Sequence, residues 1–442
     1  MGRLRHAGAR PDAPQHTADI IDLTHEGQGL ARVDGKVTFI KGALPGERVR
    51  YALRRPGRQA DEGELIAVEQ AAPERVAPRC AHFGLCGGCS LQHLSADGQI
   101  AFKQKQLLDA LERIGKVKPE ALAPAIRGEA WGYRRRARLS VKHVAKKGGV
   151  LVGFRETDSP FVAQLESCVV LDPRVGLKLR ALAELVGRLN INTLVPQIEV
   201  AAAARVALVL RVMQAPTPAD LDALRAFARE HDIDLHLQTG GYDTIKPLDG
   251  TAPAPLTFSP DGSDLALEFR PTDFIQVNDS VNRQMVRQAI DWLGVTPGMT
   301  VLELFCGLGN FSLPLARAGA QVTAVEGEAG LVERARANAS ANGLTARFVH
   351  SDLFKVDPKA DWLAAPYDAV LIDPPRAGAQ EVLPAVIAAR PARVVYVSCH
   401  PGTLARDAAT LVAAGWRLAR AGVLDMFPHT NHVESMALFE RH

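Results

Sequence analysis

The chain has 442 residues, of which 47% are hydrophobic and 23% charged, with a formal net charge of +3. Such a length exceeds one ordinary core and points to two or three domains. No run of about 18 apolar residues appears, which excludes a membrane-spanning helix, and so mild a positive charge neither requires nor excludes a nucleic-acid partner.

Residues 1–16, MGRLRHAGARPDAPQH, are rich in Arg, Pro and Gly and lack an apolar stretch. They read as a disordered tail rather than a secretory signal. Residues 17–71 follow as short apolar segments between Gly and Pro turns, including an Asp34-Gly35 hairpin signal. Five short strands in so few residues predict a small β-barrel with the look of an oligonucleotide-binding fold.

Residues 72–270 read as a mixed α/β central domain. Three of the six cysteines, Cys80, Cys86 and Cys89, sit within ten residues, and Cys168 lies far downstream. In a chain with no secretory signal this favours a metal site over disulfides. Four thiolates suit an iron–sulfur cluster or zinc, and the spacing does not choose between them. The segment QIAFKQKQLLDALERIG predicts an amphipathic helix, and Lys103, Lys105 and His93 give this region a basic character. In Tyr133-Arg134-Arg135-Arg136-Ala137-Arg138, a strand would place Arg134, Arg136 and Arg138 on one face, where successive guanidiniums can meet successive phosphates.

Residues 271–442 alternate buried strands with helices, the pattern of a doubly wound, mostly parallel sheet. The last two strands have no helix between them and predict an antiparallel pair. The first strand runs into Phe305-Cys306-Gly307-Leu308-Gly309-Asn310, whose glycines permit a tight turn and close approach to a ligand. Glu303, Glu326 and Asp352 fall near the ends of three successive strands, a placement suited to a nucleoside, with Glu326 facing ribose hydroxyls. The third glycine of a dinucleotide fingerprint is replaced by Ser312, which suits a ligand without phosphates. Asp373, in Asp373-Pro374-Pro375-Arg376, ends the fourth strand, and Cys399 ends the fifth, one strand over. A thiolate there would attack carbon. Glu434, just before the last strand, is the candidate carboxylate base.

The segments DFIQVN (273–278), LFCGLGNFSLPLA (304–316), AVEG (324–327), LIDPPRAG (371–378), YVSCHPGTLARD (396–407) and DMFPHTNHVES (425–435) resemble the RNA uracil-C5 methyltransferases, and the likeness runs over residues 17–442. It implies a Rossmann-like class I methyltransferase domain over 271–442. Cys399 would be the nucleophile toward uracil carbon 6 and Glu434 the general base. Gln276, Phe305, Asn310, Glu326, Asp352 and Asp373 would bind the donor, S-adenosylmethionine. At Asp352 the family often has Asn. Phe274 is the candidate for stacking on a base. Gln28-Gly29-Leu30-Ala31 and Gly42-Ala43-Leu44-Pro45-Gly46 resemble a TRAM domain, an RNA-binding barrel.

A barrel together with a cysteine cluster is similar to the subgroup acting on 23S ribosomal RNA. That similarity favours a [4Fe-4S] cluster held by Cys80, Cys86, Cys89 and Cys168. It implies 23S ribosomal RNA as partner, a cytoplasmic location, no membrane and a monomer. Two alternatives stay open: a tRNA uracil-C5 methyltransferase and a non-catalytic RNA-binding ribosome-assembly protein. Cytosine-C5 enzymes typically place a second cysteine after the fourth-strand proline, and here Arg376 follows Pro375.

Overall fold

The computed structural model describes residues 14–251 and 253–441, so nearly all of the tail expected at 1–16 lies outside the described residues. Strand β1 (Gln15–Leu23) is followed by β2 (Gly29–Val33), β3 (Lys36–Lys41), β4 (Arg48–Arg55) and β5 (Ala60–Gln70). They close into a barrel in the order β1-β2-β3-β5-β4, as the sequence predicts. Asp34 and Gly35 turn β2 into β3 with φ of 51° and 80°, the left-handed pair a two-residue hairpin needs. Alternate residues point inward, and Ile20, Ala31, Ile40, Val49 and Tyr51 fill the barrel.

A two-residue strand, β6 (Ala121–Leu122), precedes the central sheet. That sheet is built from β7 (Arg136–Val144), β8 (Gly149–Gly153), β9 (Gln197–Ala202), β10 (Val206–Arg211), β11 (Asp234–Gln238) and β12 (Lys246–Pro247), in the order β12-β11-β10-β9-β7-β8. Beyond it come the hairpin β13 (Leu256–Phe258) and β14 (Leu267–Phe269).

The C-terminal sheet contains β15 (Thr300–Leu304), β16 (Gln321–Glu326), β17 (Arg347–His350), β18 (Ala369–Ile372), β19 (Arg393–Ser398), β20 (Trp416–Leu424) and β21 (Glu434–Arg441). Its order is β17-β16-β15-β18-β19-β21-β20, with β6 at the far edge. The first five strands are parallel. Strand β21 inserts antiparallel between β19 and β20. The chain winds outward from β15 and returns to β18 on its other side. That reversal opens a crevice at the carboxyl ends of β15 and β18, where ligands bind in doubly wound sheets.

The helix Ala96–Ala110 belongs to this layer. It packs on the helix Pro401–Ala413 and on β20, and Ile100, Leu107 and Leu111 share a core with Leu404, Ala405, Ala408 and Leu411. Its packing corrects the expected basic surface: Lys103 is fully buried, and His93 is buried too. Lys105 alone of the three keeps an exposed charge, paired with Asp22 and Asp109. Among the described residues no helix is long and apolar enough to cross a membrane.

Candidate active site

One end of the crevice is built by the turn after β15. Phe305 takes a left-handed φ of 65°, rare for a side chain of its size and a form of strain that collects at functional sites. Gly307 follows at φ 57°, and a Cβ there would meet nothing within 4 Å, so the backbone is open to a ligand. The Gly307 N–H donates to Glu326 Oε2 (3.0 Å) and the Glu328 N–H to Glu326 Oε1 (3.0 Å). Each carboxylate oxygen keeps a lone pair for a hydroxyl. The Asn310 amide is locked to Asn282 by two reciprocal bonds of 3.0 Å. Asp352 Oδ1 accepts from the Phe354 N–H (2.9 Å), and the Phe305 and Phe354 rings lie 5.7 Å apart.

Phe305, Gly307, Asn310, Glu326, Asp352 and Phe354 line one cleft of about 620 Å³, together with Gln276, Asp373, Cys399, Glu434 and Phe274. The nine residues that the family resemblance assigns to donor binding, reaction and stacking thus line one cleft. Phe274 stands at the rim with 71% of its surface exposed.

The reacting groups come from neighbouring strands. Ser398 pairs with Ser435 across β19 and β21, so Cys399 and Glu434 follow at the next opposed position. Asp373 extends from β18, on the other side of β19. Burial pushes the Cys399 thiol up to about 11; the Glu434 and Asp373 carboxylates add to this and Arg376 opposes it. Burial lifts Glu434 to about 8, with Asp373 raising and Lys103 lowering it. Burial likewise holds Asp373 near 7. Burial and the mutual repulsion of these groups favour their protonated forms, Cys399 and Glu434 more than Asp373.

Glu303 corrects the sequence reading. It is fully buried beneath the glycine turn and does not line the cleft. The Ser312 hydroxyl donates to one of its oxygens, and the other has no partner. Burial raises it to about 8. This carboxyl braces the turn instead of touching a nucleoside. His400, next to Cys399, does not line the cleft; its Nδ1 caps the following helix by accepting from the Thr403 N–H (3.2 Å). The sequence reading missed Asn282, Phe354, Arg376, Phe427 and His432. The last four line the cleft, and all five owe their place to tertiary packing. The DMFPHTNHVES segment flagged Phe427 and His432 only as neighbours of Glu434.

The four cysteines line a second, small cavity with Phe83, Phe154 and Leu165. Among the described residues no three His, Cys, Asp or Glu side chains converge closely enough to hold a single ion. The arginines do not form an open row. Arg134 lies over the Phe154 ring and borders the cysteine cavity. Arg136 turns inward and donates to Val200 O (3.0 Å) and Pro271 O. Arg138 pairs with Glu199 (2.6 Å) yet remains 59% exposed. The reason is that β7 pairs with β9 here, which places Glu199 opposite Arg138.

A family model described as tRNA (Uracil-5-)-methyltransferase matches residues 257–350 and 361–442, and the TRAM domain model matches residues 16–50. A protein of Alkalilimnicola ehrlichii named 23S rRNA (uracil(1939)-C(5))-methyltransferase RlmD is 50% identical, covering 100% of this chain and 99% of that one. The protein of the same name from Xanthomonas axonopodis pv. citri is 49% identical over the whole of both chains. The solved structure of Pyrococcus abyssi tRNA (uracil-54, C5)-methyltransferase in complex with S-adenosyl-L-homocysteine shares the fold, with a TM-score of 0.72 at 23% identity, covering 96% of this chain and 99% of that one.

Proposed function

Because the chain belongs to the RNA uracil-C5 methyltransferase family, we propose that it methylates carbon 5 of a uracil in 23S ribosomal RNA, with S-adenosylmethionine as donor. Relatives matching from end to end carry that activity in their names. The observation that carries the chemistry is the meeting of Cys399 and Glu434, from adjacent antiparallel strands, in the cleft that also holds Glu326, Asp352 and Asn310.

Carbon 5 of uracil is a poor nucleophile. Cys399 reacts as the thiolate, its proton passing to solvent as substrate binds; addition of the sulfur to carbon 6 makes an enolate, and carbon 5 then takes the methyl group from the donor sulfonium, releasing S-adenosylhomocysteine. Glu434 removes the proton from carbon 5, and the electron pair expels the Cys399 sulfur. Buried Glu434 is a stronger base than a surface carboxylate once ionised. Cys399 holds its proton until substrate arrives, which protects it from idle reactions. Gln276, Phe305, Asn310, Glu326, Asp352 and Asp373 bind the donor in this reading, and exposed Phe274 stacks on a base. In this reading Arg134 and Arg138 contact RNA, Arg138 from an exposed position, and Arg136 supports the strand through its bond to Val200 O.

The cysteine cavity fits a metal group. The four thiols line one cavity, as either a zinc ion or an iron–sulfur cluster would require, and the family likeness favours the cluster. Cys80, Cys86, Cys89 and Cys168 would hold it across this enclosed, mostly apolar space. Such a cluster would tie the loops that bear these cysteines together.

The test is transfer of labelled methyl from S-adenosylmethionine to unmodified 23S RNA and, separately, to tRNA, with nucleoside analysis. Labelled 5-methyluridine in 23S RNA alone is expected. Label in tRNA alone would overturn the substrate, and no label in either would overturn the activity.

A further inference from the structure

A lysine with no exposed surface is costly unless its charge is matched. Lys103 is such a residue. Its Nζ donates to Asp425 Oδ1 (2.7 Å) and to the Phe427 carbonyl (2.9 Å). One helical turn earlier, on the same face, lies buried Gln99. Its Oε1 accepts from the His429 N–H (2.7 Å), and its Nε2 donates to Leu91 O (3.1 Å) and Leu94 O (2.8 Å). One face of the helix Ala96–Ala110 thus grips the loop between β20 and β21 at Asp425, Phe427 and His429. That loop delivers Glu434.

We propose that Lys103 is a positioning residue for Glu434, fixing the 425–433 loop and setting a buried cation within reach of the catalytic carboxylate. The inference rests on Glu434 being the base. Glu434 shares its cleft with Asp373, Cys399, Arg376 and His432, and Lys103 bears on it from the helix; burial lowers the lysine's own value and Asp425 holds it up. Asp425 matches the lysine's charge from its other side. Asp373 disfavours ionised Glu434 and Lys103 favours it. Removing the cation should therefore move the proton-removal step to higher pH, a result that loosened packing alone would not give.

The full-length protein with its native metal content is made as Lys103→Met, Lys103→Gln, Asp425→Asn and Glu434→Gln. Each is mixed with unmodified 23S RNA and labelled S-adenosylmethionine, and resolution of the methylated covalent adduct is followed from pH 6 to 10 on denaturing gels. Binding of S-adenosylhomocysteine reports folding. Both Lys103 variants should form adduct but resolve it along a profile moved up by about one pH unit, roughly tenfold slower at fixed pH. Asp425→Asn removes the carboxylate that holds the proton on the buried lysine, so it should move the profile up as well. Unshifted profiles in both Lys103 variants would overturn the proposal. Full turnover by Glu434→Gln would instead overturn the base assignment beneath it.

Discussion

Cys399 rests as a thiol, because burial and two carboxylates oppose its ionisation more than Arg376 favours it. Its alkylation by iodoacetamide in the RNA-free protein, read by peptide mapping, should be slow at pH 7 and rise steadily toward pH 11. Fast reaction at neutral pH would contradict the buried setting. Glu434 gives a stability signature as well. Its value in the fold, about 8, lies above the ordinary 4.5, so the folded state holds the proton more tightly than the unfolded chain. Stability from this group therefore falls as pH rises from 4.5 through 8. Glu434→Gln should be more stable than the parent above pH 8, by on the order of 3 kcal/mol, in chemical denaturation; equal stabilities there would contradict it. The strand-end placement of Cys399 and Glu434 was legible in the sequence, because the apolar strand VVYV runs into Ser398-Cys399-His400-Pro401 and Glu434 opens the last apolar strand; their roles come from the family resemblance. Lys103 was not legible, because an amphipathic helix with scattered lysines reads as solvent-facing until its partner Asp425 is seen across the fold.

The glycine turn after β15 acts as a unit. Gly309 has φ 95°, and a Cβ there would stand 2.5 Å from Leu313 Cδ1, whereas Gly307 has open space around it. Gly309→Ala should cost about 1–3 kcal/mol of stability through strain at this φ and its clash. It should also weaken S-adenosylhomocysteine binding in calorimetry more than ten-fold. Unchanged affinity would show that the turn does not shape the donor pocket. The strand–helix alternation, the barrel and the final antiparallel pair could all be read from periodicity and turn residues. The pairing of β6 with β20 could not, since two residues carry no periodic signal and gain their place only from an edge made elsewhere in the chain.

At the scale of the molecule, the cysteine-bearing segment is latched to the catalytic loop. The N–H groups of Ser90 and Leu91 both donate to the His429 carbonyl at 2.9 Å, and the Asn431 N–H donates to Ser90 Oγ (3.0 Å). Ser90 directly follows Cys89. Loss of that cysteine should loosen the loop that ends in Glu434 without touching the donor pocket. Cys89→Ser is expected to lower turnover on 23S RNA while S-adenosylhomocysteine affinity holds; wild-type turnover in that variant would break the link. The grouping of Cys80, Cys86 and Cys89 was visible from their spacing, whereas Cys168 meets them only in the fold. The arginine row was not read correctly, because only the assembled sheet shows Glu199 opposite Arg138 and Arg136 turned inward.

The most direct test of the chemistry uses Glu434→Gln with unmodified 23S RNA and methyl-labelled S-adenosylmethionine, followed by denaturation, digestion and mass spectrometry of the retained peptides. The account predicts a methylated nucleotide joined to the peptide that carries Cys399. Absence of any protein-bound nucleotide, or its attachment at another residue such as Cys306, would contradict it.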